Sequence, residues 1–350
     1  MTVATQDMAE THHQDDPKVA GTQVPAVRPD ALIHIGMQKT GTTTLQEWLH
    51  ANADKLAKQG ILFPQFKRQN GKAMQQQLAL GLFGFHLSER MPPRGTFRRH
   101  LGIKSLDDQA AYCDETLRQL GKMIAEQPYD GVILSSEYIG GWLNSRAQIE
   151  KLDQLFSGIF GTVVYVLYLR EPGDWILSRY VQSLRSGGVQ TLDEYVSKHA
   201  AAGLFRRANL WSDTIGKDRV QIRLYDRAVM PEGDIVADFC DVAGLDRSQY
   251  STVVDRNASL SQGEAKALLQ VNRIQRRLRK RPYQTNPRRW FIRAFANRKK
   301  LRLSVDQRRL IDEKNADQLA KLRNKYFPER PFLFSASGAP TQSTSIQQER

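Results

Sequence analysis

The residues of this chain best suited to chemistry on an anion follow one another without a gap: Gln38, Lys39, Thr40, Gly41, Thr42, Thr43 and Thr44. Glycines at 36 and 41 permit a tight turn, so backbone N–H groups, threonine hydroxyls and the Lys39 ammonium can converge on one point, which attracts phosphate or sulfate. A plain strand-to-helix turn is the competing reading, but it needs neither the lysine nor the threonines. The spacing resembles that of a nucleoside-triphosphate loop, GxxxxGK[ST], with Thr42 in place of its lysine and the lysine moved inside the loop as Lys39.

A second constellation lies at 163–182. Residues 163–169 are β-branched and aromatic and suit a central strand. Pro172 ends that strand, and Asp174 is placed to cap a helix starting near Trp175. Arg170 then stands at the C-terminal end of the strand, the edge where open α/β sheets bind ligands, with Ser178 in the first turns of the helix. A planar guanidinium and a hydroxyl in that relation can grip one phosphate from two sides. The alternative is an exposed arginine paired to Glu171 or Asp174.

Proton transfer requires a base at the same edge. Glu137 directly follows the strand expected at 132–135 and is the leading candidate, with His86, His100 and Glu89 as rivals. Tyr225 ends the alternating segment 220–224 and can serve either as a ligand contact or as simple packing.

These motifs resemble those of sulfotransferases that use 3′-phosphoadenosine-5′-phosphosulfate (PAPS). Residues 34–46, HIGMQKTGTTTLQ, look like the 5′-phosphosulfate loop, and residues 163–182, VVYVLYLREPGDWILSRYVQ, resemble the 3′-phosphate segment with its arginine and, eight positions later, its serine. The resemblance implies a P-loop-like three-layer α/β/α fold with a central, mainly parallel sheet. It also implies cofactor contacts at Gln38, Lys39, Thr40, Gly41, Thr42, Thr43, Thr44, Arg170, Ser178 and Tyr225, catalysis by Lys39 and Glu137, and no metal. The family's base is a glutamate in some branches and a histidine in others. Thr40 and Thr44 stand where cytosolic small-molecule enzymes usually show serine and tryptophan, which points to bacterial or carbohydrate-type branches and an acceptor hydroxyl, or an amine, on a glycan or glycolipid. A small-molecule or nucleotide kinase and a catalytically inactive nucleotide-binding protein are the alternatives.

The elements that must hold these residues are strands expected at 31–35, 61–63, 132–135, 163–169 and 220–225. Helical patterns lie at 110–126, 175–186 and 233–242, an alternation that predicts a parallel sheet covered on both faces. Leu45, Trp48, Leu49 and Leu56 share one helical stripe, with Gly60 as a C-cap. Ser261 and Glu264 spell a capping box. The interval 65–130 contains the aperiodic stretch 91–100, a candidate for acceptor binding.

With 350 residues and 40% hydrophobic content, the chain can bury a sizeable core. We expect one domain at 28–334, a disordered leader at 1–27 and a disordered tail at 335–350. No apolar run reaches membrane-spanning length, and Cys113 and Cys240 lack metal-ligand spacing, which suggests a reducing, cytoplasmic setting. The charge of +14 comes from 51 basic and 37 acidic residues. Residues 273–302 hold 13 of the basic side chains and none of the acidic ones. The excess is therefore local, within a basic helical segment at 260–302. Cofactor closure, an anionic glycan, a peripheral membrane contact and nucleic acid compete for it, with nucleic acid disfavoured.

Overall fold

The computed structural model describes residues 28–67, 77, 79–92, 98, 101–253, 260–278, 292–296 and 299–335. In chain order the elements are β1 (Asp30–His34), α1 (Thr42–Ala51), α2 (Ala53–Lys58), β2 (Ile61–Leu62), α3 (Leu80–His86), α4 (Leu106–Glu126) and β3 (Gly131–Ser135). They continue with α5 (Glu137–Trp142), α6 (Arg146–Ile159), β4 (Val163–Arg170), α7 (Pro172–Arg185), α8 (Leu192–His199) and α9 (Leu204–Ile215). The last are β5 (Val220–Tyr225), α10 (Ile235–Ala243), α11 (Gln262–Arg277) and α12 (Val305–Tyr326).

The five strands form one sheet in the order β2-β3-β1-β4-β5, and every neighbouring pair is parallel. The alternation of strand side chains explains why both faces are covered. Val163, Tyr165, Leu167 and Leu169 enter a core shared with α3 to α9, α11 and α12. Val166 and Tyr168 point the other way, into a core with α1, α2 and α10. The architecture is the three-layer α/β/α arrangement expected, with a wholly parallel sheet.

Polar anchors fix the second layer. Asp238 of α10 accepts from Tyr168 Oη at 2.6 Å and from Arg223 Nε at 3.0 Å, tying that helix to β4 and β5. Beneath the loop after β1, Ser135 Oγ lies 2.8 Å from His34 Nδ1, and the Ser135 carbonyl accepts from Gln46 Nε2 at 2.9 Å. Burial holds His34 neutral, with its pKa lowered to about 3.

Two of the boundaries that differ from expectation have a clear physical reason. The stripe at 45–56 is split at Asn52, whose amide donates to the Trp48 carbonyl and to that of Ser251, breaking the run into α1 and α2. The helix after β4 starts at Pro172, not near Trp175. Its cap is Glu171, whose carboxylate accepts from the N–H groups of Gly173 at 2.9 Å and Asp174 at 2.7 Å. The expected capping box of Ser261 and Glu264 forms at the start of α11. No helix among the described residues is long and apolar enough to cross a membrane.

Candidate active site

The strand order places β1 in the middle, so the loop at 35–41 opens at the C-terminal edge between the ends of β3 and β4. Three successive loop carbonyls are occupied by side chains. Met37 accepts from Thr40 Oγ1 at 2.5 Å, Gln38 from Trp175 Nε1 at 2.9 Å, and Lys39 from Arg170 Nη1 at 2.9 Å. Carbonyls that would repel an anion are thereby engaged, while the first N–H groups of α1 have no partner within the helix.

Lys39 is held in the left-handed region, with φ 72°, a conformation that costs a non-glycine residue about 1–2 kcal/mol. Gly41 adopts φ 75° at the N-cap, and a Cβ there would meet Tyr225 Cε2 at 2.8 Å. Tyr225 thus packs directly on the loop's last turn. The Arg170 guanidinium lies over the same ring, 5.4 Å from its centroid.

A cavity of about 280 Å³ opens here, lined by Lys39, Gly41, Thr42, Thr43, Thr44, Glu137, Arg170, Ser178 and Tyr225. Nine of the expected site residues therefore surround one space. Gln38 and Thr40 do not line it: the Gln38 carbonyl and the Thr40 hydroxyl brace the loop from behind, and Thr40 is fully buried.

Sequence reasoning missed Asp174, Gln182, Arg185, Arg227, Leu260 and Leu301, which line the same cavity. Asp174, Ser178, Gln182 and Arg185 fall on one stripe of α7, a spacing visible in the sequence once Ser178 is placed. Leu260 and Leu301 carried no such signal. They come together because Ser261 and Lys300 form an antiparallel bridge and Leu301 N donates to the Leu260 carbonyl at 3.2 Å. The two ends of the basic segment thus meet at the cavity wall; its residues 279–291 and 297–298, including Trp290 and Phe291, lie outside the described residues.

Burial dominates the electrostatics. It lowers the Lys39 pKa, Glu137 opposes that shift, and Arg185, Arg170 and Arg179 reinforce it. It raises the Glu137 pKa, against the pull of Lys39 and of the Thr42 hydroxyl, which donates to Glu137 Oε2 at 3.3 Å. Asp174 is also raised by burial, partly offset by Arg170, whose Nη2 is 4.0 Å from Asp174 Oδ2. Glu171, the other carboxylate considered for Arg170, is bound instead by Arg308 of α12 at 2.7 Å.

The rival bases are placed elsewhere. His86 ends α3 and Glu89 occupies the exposed turn after it, and neither borders the cavity. His100, like 93–97 and 99 of the aperiodic stretch, lies outside the described residues.

Fold and cavity together define a P-loop-like α/β protein with a cationic, anion-sized site at the C-terminal edge of its sheet. No family model matches the chain. An uncharacterized protein of Archaeoglobus fulgidus is 25% identical over 108 residues, spanning 31% of this chain and 30% of that relative. Among solved structures the chain is similar to a sulfotransferase from Alicyclobacillus acidocaldarius, with 16% identity, a TM-score of 0.41, and coverage of 75% of this chain and 99% of that one. It is also similar to the sulfotransferase domain from the curacin biosynthetic pathway, with 10% identity, a TM-score of 0.38, and coverage of 84% of this chain and 98% of that one.

Proposed function

We propose that the protein is a PAPS-dependent sulfotransferase acting on a hydroxyl, or an amine, of a glycan or lipid-linked acceptor. The observation that carries this reading is the lining of one cavity: a displaced loop lysine with its threonines, the pair Arg170 and Ser178, and Glu137 beside the lysine. A nucleotide with an anionic group at each end matches two separate grips, and the residues fit it.

In this reading the bound phosphosulfate supplies an electrophilic sulfuryl group. Glu137 takes the proton of the acceptor hydroxyl as that oxygen bonds to sulfur and the bond from sulfur to the phosphate oxygen breaks. Lys39 and the N–H groups at the start of α1 hold the charge that builds on the departing oxygen, leaving adenosine 3′,5′-bisphosphate and the sulfated acceptor. A raised Glu137 pKa suits a base working near neutrality.

Part of the basic segment supports an approach to an anionic surface. In α11, Ile274 is 55% exposed and Leu278, just past its end, 60%, and Arg273, Arg276 and Arg277 flank them. Membrane contact through 273–302 belongs to the same proposal.

Thermal shift with adenosine 3′,5′-bisphosphate, PAPS and Mg-ATP tests the donor assignment. A ligand at 100 times its Kd adds about 2.7 kcal/mol of stability. Stabilisation by the two adenosine 3′-phosphates is the expected result. Selective stabilisation by Mg-ATP indicates a kinase and overturns the reading. Binding without transfer to any of a panel of hydroxyl acceptors identifies an inactive binder.

A further inference from the structure

A group of arginines beside the cavity is left unused by the chemistry above. Arg207, in the first turn of α9, donates from Nη1 to the Gly140 carbonyl, and its Nε is buried without a partner. Among the described residues no carboxylate pairs with it; the charges acting on it are those of Arg206 and Arg179, both of its own sign. Arg206 and Arg179 are exposed. The Arg179 guanidinium lies 4.8 Å from the centroid of the Trp175 ring, and its charge reaches Lys39 as well as Arg207.

Gly140 fixes where this group stands relative to the chemistry. It sits one turn beyond Glu137 in α5, and its N–H donates to the Ile35 carbonyl at 2.8 Å. A Cβ at Gly140 would stand 2.3 Å from that carbonyl oxygen, so backbone lies on backbone there. Arg207 is therefore one hydrogen bond from the helix of the base and two from the phosphosulfate loop.

We propose that Arg179, Arg206 and Arg207 bind an anionic group of the acceptor, a carboxylate or a sulfate or phosphate monoester, carried next to the hydroxyl that reaches Glu137. Among the described residues no carboxylate is paired with these three guanidinium groups, and Arg207, desolvated at a helix N-terminus, is unfavourable until an anion joins it. Guanidinium forks suit the planar or tetrahedral oxygens of such a group. A tie between α9 and α5 alone needs only a single neutral donor to Gly140 and leaves the buried Nε of Arg207 unexplained. That the anion belongs to the acceptor rests on the sulfotransferase reading; that the arginines take an anion does not.

The test uses the full chain, titrated first with adenosine 3′,5′-bisphosphate to saturation and then, by calorimetry, with glucose, glucuronate or glucose 6-phosphate. The first titration reads the donor assignment by itself; if it fails, the sugars are titrated without nucleotide and still read the arginines. At least one anionic sugar is expected to bind about tenfold or more tightly than glucose, and the one preferred distinguishes carboxylate from phosphate. Arg179→Gln and Arg207→Gln should each remove most of that preference. Arg207→Lys, which keeps the charge without the fork, serves if the glutamine variant does not fold. Equal binding of all three sugars, or a preference that survives both Arg179→Gln and Arg207→Lys, overturns the proposal.

Discussion

Arg170 is bonded to the backbone of Lys39: its Nη1 donates to the Lys39 carbonyl at 2.9 Å across 131 residues of sequence. The strand-end arginine thus helps hold the lysine in its left-handed turn as well as adding its charge to the cavity. Arg170→Lys keeps the charge but loses the planar fork, which can donate to the loop and to a ligand at once. Calorimetry with adenosine 3′,5′-bisphosphate should show affinity reduced about tenfold or more, since hydrogen bonds to charged groups contribute about 1.5–3 kcal/mol.

Glu137→Gln should lower kcat by about 10²–10⁴ if Glu137 is the base. Because burial raises the Glu137 pKa, the acid limb of the pH–rate profile should lie above the ordinary glutamate range. The same shift carries a stability cost. A carboxylate with a raised folded-state pKa favours folding while protonated, and that contribution is lost as pH rises through the folded pKa. Glu137→Gln should therefore raise Tm at neutral pH, with the gain vanishing below about pH 4. Near-full activity of this variant with a true acceptor removes Glu137 from the mechanism.

Lys39→Ala should cost about 10²–10³ in turnover, the range for a lost electrostatic donor. Burial lowers the pKa of Lys39, so the wild-type rate should fall on the alkaline side before an ordinary lysine titrates. That limb should be missing from the residual activity of the variant.

Gly41→Ala places a methyl 2.8 Å from Tyr225 Cε2 on a backbone with φ 75°. Left-handed strain of about 1–2 kcal/mol adds to the collision. Denaturant unfolding should show the loss, and Tyr225→Ala in the same chain should recover the collision but not the strain. Full recovery would mean that the backbone relaxes out of this conformation.

Arg308 of α12 donates to Glu171 at 2.7 Å, and Glu171 in turn caps α7, the helix that presents Ser178. Both side chains are substantially buried, so Arg308→Ala should destabilise by about 1–2 kcal/mol. Glu171→Ala should cost more, because it also removes the cap. The double variant should fall short of the sum, as expected when one carboxylate serves both interactions.

The strands were legible from apolar runs or, at 220–225, from alternation: 220–225 matches its expected limits, 31–35 shifts by one residue, 61–63 loses one, and 132–135 and 163–169 each gain one. The start of α7 was misplaced because Asp174 looks like a cap, whereas Pro172 at the first helical position makes Glu171 the residue whose side chain reaches the free N–H groups. The cavity lining was legible where a motif is contiguous, as in Lys39 and Gly41 to Thr44, or where a strand end leads straight into a helix, as in Arg170 and Ser178. It was not readable where distant segments meet. Nothing local announces that Leu260 and Leu301 share a wall, that Arg207 reaches Gly140, or that the Thr40 hydroxyl is spent on Met37.

Strand order divides the labour of the site between two flanks. With β1 central, β4 on one side supplies Arg170 and the helix bearing Ser178, whereas β3 on the other supplies Glu137 and, through α5, the contact with Arg207. The two flanks touch at the loop of Lys39 and come from separate stretches of chain. Under the proposed function, α7 carries Ser178 of the nucleotide grip and Arg179 of the acceptor's anion site side by side, so an exchange on that helix alters donor and acceptor together, whereas one on α5 bears on the base and its contact with Arg207.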